Sequence, residues 1–380
     1  MANTLTGIIP TLYEALNVVS REMTGFVPAV KSDSNAARAA KDQTVRVPLG
    51  VSGAVEDITP GATPAASGST TVGYADITIT KSRAAPILWN GEEIKAVGSN
   101  GTYNQLLADQ FADGMRKLVN EIEVDLWSAA YKGASRGYGT AGTAPFGTAG
   151  DLSDVAGVLR ILEDNGVPKT DLQLALGSAA MANLRGKQSV LFKVNEAGSS
   201  DMLRNGMTDR LQGFALRNSG GISVHTKGTG ASYQLSAAGA VGDTAISVDT
   251  GSGTILAGDV VTFAGTSDKY MVNTALSGGS FSIGKPGLLA IEADNDAVTV
   301  GNSYTPNVAF ARSAIVLAAR APALPEGGDS ADDRMMITDP MTGLTFEVSI
   351  YRQYRQVKYE IAIAWGCSAI KPEHIAVLLG

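Results

Sequence analysis

Cysteine and histidine are almost missing from this sequence: Cys367 is the one cysteine, and His225 and His374 are the two histidines, in 380 residues. A single cysteine excludes an intrachain disulfide and a zinc site built from paired thiolates. It fits a reducing compartment. Two distant histidines leave little for a Ser–His–Asp or Cys–His arrangement to use. His225 ends the strand-like "GISVH" and His374 lies in "KPEHIAVLLG", neither near a G-x-S-x-G signature. Both read as structural or solvent-exposed. No Gly-Lys-Ser/Thr stands at P-loop spacing. The run "GTAGTAPFGTAG" follows a helical pattern rather than a strand and contains Pro145 and Phe146, so it reads as a flexible loop. No apolar run approaches the ~20 residues that span a bilayer, and the N-terminus lacks the basic region of a secretory signal. The expectation is a soluble, cytoplasmic product with no membrane partner. Basic residues are not in excess, 30 against 37 acidic for a net charge of −7, which argues against a free nucleic-acid binder. Aromatics are only 6 %, so the cores must be mostly Val, Ile, Leu and Ala.

Glycine, by contrast, is abundant: 44 residues, against a usual share of about 7 %. The chain therefore has many turns around moderate elements, and its length suits two or three domains. Residues 8–23 form a weak amphipathic helix, and "KSDSNAARAAKDQ" at 31–43 is a connector or a short exposed helix. The segments "TVRVPLG", "TVGYADITIT" and "APILWNG" alternate as strands do, around the polar stretch "EDITPGATPAASGST". Two strands flanking such a tip describe an extended hairpin arm that buries little of itself within its own subunit.

Residues 102–131 carry the strongest helical signal. Leu107, Phe111, Met115, Leu118, Ile122, Leu126 and Ala129 form one stripe, and Asp113 with Lys117 gives a favourable i,i+4 pair. About 30 residues at 1.5 Å each make a rod of roughly 45 Å. A second helix spans "DLSDVAGVLRILEDNG", capped by Asp151 or Ser153 and ended by Gly166. "DLQLALGSAAMANLRG" reads as a strand entering a helix, and "DMLRNGMTDRLQGFALRNSGG" as a loop ending in a strand. Residues 226–305 form an all-β block of about five strands: "TAISVDTG", "DVVTFAG", "KYMVNTA", "GSFSIGK" and "AVTVGNS". "YRQYRQVKYEIAIAW" alternates as one strand, with Tyr351, Val357, Tyr359, Ile361, Ile363 and Trp365 on one face. The fold class is α+β, with one all-β insertion.

Two acidic stretches are candidate cation sites. "EADNDAVTV" places Asp294 and Asp296 at calcium-loop spacing, but the later ligand positions hold Val298, Thr299 and Thr305, so a polar turn is the reading. "EGGDSADDR" gathers Glu326, Asp329, Asp332 and Asp333 into a solvated acidic loop or a docking site for a neighbouring subunit. No catalytic, cofactor-binding or metal-binding residue is assigned, and the chain reads as no enzyme. Its parts are shapes that find partners in other subunits.

The order of these elements resembles that of the major capsid (coat) proteins of tailed bacteriophages with the Hong Kong 97 fold. More narrowly, it is similar to the short-tailed Salmonella-phage type, which carries an inserted small antiparallel β-barrel domain. The resemblance is carried by "TYNQLLADQFADGMRKLVNEIEVDLWSAAY", by "LRNGMTDRLQGFALRNSGG" with Gly206, Gly213, Phe214 and Ser219, and by the closing "DPMTGLTFEVSIYRQYRQVKYEIAIAWGCSAIKPEHIAVLLG". It implies an N-arm at 1–43, an E-loop at 44–90 and a peripheral domain at 91–170 with its spine helix. It further implies an axial domain at 171–225 and 306–380, with returning peripheral strands, and the inserted barrel at 226–305.

On this resemblance the protein assembles with itself into pentamers and hexamers of an icosahedral head enclosing double-stranded DNA, without sequence-specific contact. A scaffolding protein and a portal protein would be its partners, with a decoration protein as a further candidate. The location would be the virion, assembled in the bacterial host cytoplasm. Glu56, Asp57, Lys81 and Arg83 are candidate charged contacts between subunits, and Trp89 a candidate anchor at the arm's base. The insertion is shorter than in the Salmonella type. Lys81 and Asn307 make no convincing crosslinking pair, so assembly without crosslinks is expected. Two alternatives are an encapsulin-like compartment shell, against which the inserted block counts, and a carbohydrate-binding or cell-surface enzyme with a β module.

Overall fold

The computed structural model describes residues 24–34, 37–52, 71–98, 103–187, 210–339 and 342–380. The weak helix expected at 8–23, the arm tip with Glu56 and Asp57, and Gly206 lie outside these residues. The described chain is mixed α and β. It opens with β1 (Lys31–Ser34), which lies parallel to a strand almost three hundred residues later, pairing Lys31 with Val316. A connector or exposed helix was expected there. The polar, alanine-rich sequence carries no period of two. What fixes the strand is a remote partner: Arg320 donates to the Asp33 carbonyl and reaches its carboxylate at 2.9 Å.

The arm comprises β2 (Thr44–Ser52) and β3 (Thr71–Thr78), paired antiparallel from Thr44↔Thr78 outward to Ser52↔Thr71. The next strand, β4 (Lys81–Asn90), leaves the arm and joins a sheet. A short helix follows, α1 (Gly91–Gly98), that the hydrophobic pattern does not signal. Its mark is a capping box. Asn90 Oδ1 accepts the Glu93 N–H at 2.7 Å, and Glu93 returns a carboxylate to the Asn90 N–H at 3.1 Å.

The long helix is α2 (Tyr103–Lys132). Its stripe is buried from Leu107 to Leu126, and then widens to include Glu123, Trp127, Ala130 and Tyr131, while Ala129 is only half-buried. Asp113 and Lys117 pair at 2.7 Å. Burying Phe111, Met115, Leu118, Ile122 and Leu126 contributes about 1.5–3 kcal/mol each. Gly114 lets the helix approach the sheet, since a Cβ there would sit 3.2 Å from Ala85 and 3.3 Å from Ile361.

After the helix comes β5 (Arg136–Gly139), a strand the sequence did not signal, which ends where the expected glycine-rich loop begins. The strand lies parallel to the last strand of the chain, Gly137 opposite Val377, and antiparallel to a strand of the all-β block, Lys269 opposite Gly137. Gly139 has φ +97° and a Cβ there would meet the Leu379 carbonyl at 3.0 Å, which is why glycine stands in it. Helix α3 (Ser153–Asp164) follows, with Leu152 rather than Asp151 or Ser153 at its N-cap. Asp151 serves instead as acceptor for the Ser153 N–H at 2.8 Å, a bond that holds its carboxyl pKa below the ordinary value. Gly166, at φ +73°, lies just past the helix. Then come β6 (Leu172–Leu176), α4 (Ser178–Lys187), β7 (Arg210–Leu211) and β8 (Phe214–Asn218).

The all-β block holds six strands: β9 (Tyr233–Leu235), β10 (Ala245–Asp249), β11 (Val260–Phe263), β12 (Lys269–Ser277), β13 (Ser280–Ile283) and β14 (Ala297–Val300). Their order is β11-β14-β9-β10-β13-β12, and β11 also pairs with β12, so the ring closes. The strand missed in the sequence is β9, three residues whose Tyr233 ring fills the space that Gly251 leaves open. Closure pairs the two end strands of the ring with each other, and leaves the start of β12, Lys269 and Tyr270, to pair with β5. His225 does not end a strand; it makes one bridge to Tyr304.

The closing strands are β15 (Pro306–Ala311), β16 (Ile315–Arg320), β17 (Asp333–Thr338), β18 (Thr345–Gln353), β19 (Gln356–Ala369) and β20 (Ile375–Leu379). The expected single strand over 351–365 is a hairpin, turning at Tyr354 and Arg355, with Arg355 at φ 56°. Tyr351 therefore pairs with Lys358, and faces away from the side that carries Val357, Tyr359, Ile361, Ile363 and Trp365. A two-residue turn keeps the alternation running while it exchanges the faces. Strand β19 is central, with β4 on one side and β16 and β18 on the other. The second sheet runs from the ring through β12-β5-β20-β15-β6-β8-β7, so the ring is hydrogen-bonded into the body of the protein.

Candidate functional site

Among the described residues, the arm is anchored at its base. Val47, Ile77 and Ile79 pack with Val316, Ala318 and Ala364, and Thr80 donates to the Trp365 carbonyl at 3.0 Å. Gly366 makes this seat possible, because a Cβ there would lie 2.0 Å from the Thr78 carbonyl. Farther out, Val72 and Tyr74 are 56 % and 57 % exposed. Arg46 lies 4.0 Å over the Tyr74 ring and pairs with Asp76 at 2.9 Å, in a solvated cross-strand cluster.

Three of the proposed contact residues lie on β4, beneath the long helix. Lys81 reaches Glu121 and Asp125, each at 2.9 Å. Burial works against its ammonium, but the two carboxylates outweigh it and leave its pKa above the ordinary lysine value. Arg83 lies 3.5 Å from the same Glu121, its side chain 59 % exposed. Trp89 is buried at the other end of β4, donating to Gln110 Oε1 at 2.8 Å and meeting the Tyr103 ring edge-on. Lys81 and Arg83 therefore share one carboxylate, and Trp89 stands apart from them. Asn307 is buried, accepting the Gly177 N–H at 2.8 Å and donating to the Leu378 carbonyl. Between β4 and the helix runs a groove of about 680 Å³ lined by Arg83, Leu88, Leu106, Asp113, Lys117 and Glu121. Leu88 and Leu106 are exposed in it.

Two buried polar knots escaped the sequence reading. Glu123, 2 % exposed, accepts the N–H groups of Gly25, Phe26 and Val27 and the Ser219 hydroxyl, at 2.5, 2.7, 3.0 and 2.6 Å. It binds the segment before β1 to the middle of the protein. An acidic residue beside Ile122 and within an apolar stripe was the signal available. The second knot joins helix to ring. His225 Nε2 lies 2.8 Å from Asp259 Oδ1, and Nδ1 lies 3.3 Å from the Tyr131 hydroxyl. Tyr304 donates to the Gly258 carbonyl at 2.6 Å. Burial, with the nearby Asp259 carboxylate, pushes the Tyr131 phenol up to about 12. With Tyr131, His225, Asp259 and Tyr304 exposed by 4, 7, 1 and 1 %, this constellation is a joint closed to any substrate. His374 is half-buried, and burial and Lys371 lower its pKa.

Among the described residues no group of three or more His, Cys, Asp or Glu is placed to hold a metal ion, and no helix is long and apolar enough to cross a membrane. Asp296 caps its own turn at the Ala293 N–H, and Asp329 bonds Arg334 and the Tyr351 hydroxyl.

No protein-family model matches the chain, and no curated protein matches it by sequence. Solved structures do. The chain is similar to a chain in the capsid of the cyanophage P-SCSP1u, at 10 % identity and TM-score 0.48, covering 94 % of this chain and 88 % of that one. A chain of the cyanophage A-1(L) capsid aligns at 10 % identity and TM-score 0.47, over 96 % and 92 % of the two chains. A chain of the virus-like particle from Pyrococcus furiosus aligns at 11 % identity and TM-score 0.43, over 97 % and 98 %.

Proposed function

We propose that this protein is a structural shell subunit, a major capsid protein of the Hong Kong 97 type with an inserted barrel. The observation that carries the reading is the arm: among the described residues its two strands pair with each other beyond their base, with Val72 and Tyr74 left to water. A two-stranded ribbon is marginal alone. It becomes a stable element when a neighbouring subunit covers it. In this reading the subunits form pentamers and hexamers of an icosahedral head around double-stranded DNA. A scaffolding and a portal protein take part in its assembly in the bacterial cytoplasm, with a decoration protein as a further candidate partner. Arms reach over adjacent subunits, with Glu56, Asp57, Lys81, Arg83 and Trp89 near the contacts. The ring at 226–305 is the inserted domain of the Salmonella-phage type.

The test is expression of the full chain, followed by sedimentation and electron microscopy, alone and with a candidate scaffold. Closed shells or capsomers are expected. A monomer under every condition would overturn the reading.

A further inference from the structure

The segment that leads into β14 carries a carboxylate in an unfavourable place. Glu292 is 2 % exposed, and its Oε1 is buried without a hydrogen-bond partner. Its backbone is tied in both directions to Gly239, at 3.0 and 3.1 Å, so the segment is held where it lies. The groups acting on it come from every neighbouring element. Asp296 belongs to its own segment, and Asp268 precedes β12. Thr266 offers a hydroxyl, Tyr270 stands on β12, and Arg136 on β5 lies 3.9 Å from Asp268. Asp296 is itself fixed, accepting the Ala293 N–H at 2.6 Å. An ionised Glu292 thus lacks water, lacks a full set of donors, and feels two other carboxylates.

We propose that Glu292 is a protonation latch of the barrel: as a neutral acid it fits its buried site, and as an anion it is driven against Asp296 and Asp268 and loosens the 288–296 segment. Burial, then Asp296, and to a smaller extent Asp268, hold its pKa above the usual carboxylate range, against the Thr266 hydroxyl. The folded chain therefore binds this proton more tightly than the unfolded chain. Stability from this group increases as pH falls through the folded pKa and is lost as pH rises through it, opposite to the usual acid unfolding of proteins. The latch lies at the seam between ring and body, because Asp268 is also the neighbour of Arg136 on β5. It does not depend on the shell reading.

The test compares hydrogen exchange of the full-length protein and of Glu292→Gln from about pH 4, below the free glutamate value, up to about pH 8, corrected for intrinsic rates. In the wild-type protein, amides of 288–300 and of β5 are expected to lose protection as pH rises. In the glutamine variant that loss is expected to vanish. An unchanged pH dependence in the variant, or rising protection with pH in the wild type, overturns the proposal. Carboxyl-carbon NMR titration of wild-type Glu292 gives a second readout that needs no variant. Titration above the free glutamate value is expected, and titration at or below it also overturns the latch.

Discussion

Glu123 and Phe26 are joined by a hydrogen bond of 2.7 Å from a backbone N–H to a carboxylate in the middle of a thirty-residue helix. The same carboxylate takes Gly25, Val27 and Ser219, so four donors converge on one side chain. Glu123→Ala leaves these buried donors without an acceptor, each at a cost of about 1–3 kcal/mol before relaxation. The expected outcome is a fall of at least ~3 kcal/mol in urea-unfolding stability, with new proteolytic cleavage near residues 24–30. Stability unchanged within error would refute this role.

Gly366 and Thr78 meet where the arm leaves the body. In Gly366→Ala the methyl group would lie 2.0 Å from the Thr78 carbonyl, so β3 must move. Accelerated cleavage within 44–78 by limited proteolysis, with the rest of the chain intact, is the expected result. If arms seat neighbouring subunits, assembly yield falls in the same variant.

Asp259 holds His225 Nε2 and the Gly228 and Leu256 N–H groups together. Asp259→Ala is expected to cost ~3 kcal/mol or more, whereas Tyr131→Phe, which removes one longer bond, costs about 1 kcal/mol. Chemical denaturation of the two variants side by side checks the ranking. Equal effects would place the joint elsewhere.

Cys367 offers a pH-dependent prediction. Burial, aided by Asp125 and opposed by Lys81, pushes its thiol up to about 12. The folded thiol keeps its proton where the unfolded one has lost it. Stability from this group is therefore present at neutral pH and declines as pH rises from the ordinary thiol value toward about 12. Iodoacetamide at mildly alkaline pH should label the unfolded chain quickly and the native chain slowly. Equal labelling rates would contradict the burial.

The legible parts of this fold were those whose causes are local. The helix carries its stripe from Leu107 to Leu126 in its own sequence, and five of the ring strands alternate or run apolar between glycine turns. Strands β1 and β5 were invisible because polar or glycine-rich residues are held extended by partners far along the chain: Val316 for Lys31, Val377 for Gly137. The Tyr354–Arg355 turn was hidden by an alternation that continued through it. Of the five proposed contact residues, three fall on β4, but their partners Glu121, Asp125 and Gln110 come from the helix. Such pairings are written in the folded geometry and not in spacing.

The closed ring has a kinetic consequence. Its β11–β12 and β12–β13 hairpins join residues that are near in sequence, Val260 with Met271 and Ser277 with Ser280, whereas closing the ring joins Tyr233 with Val298 and the body joins Leu172 with Ala311. Short loops close at a smaller entropic cost and form earlier. These hairpins are therefore expected to form first, with the start of β12 at Lys269 and Tyr270 waiting for β5 as the distant parts of the chain arrive. Pulse-labelled amides of β11–β13 protected ahead of those of β6 and β16 would display that order. The distant strands would then assemble against an edge that is already in place.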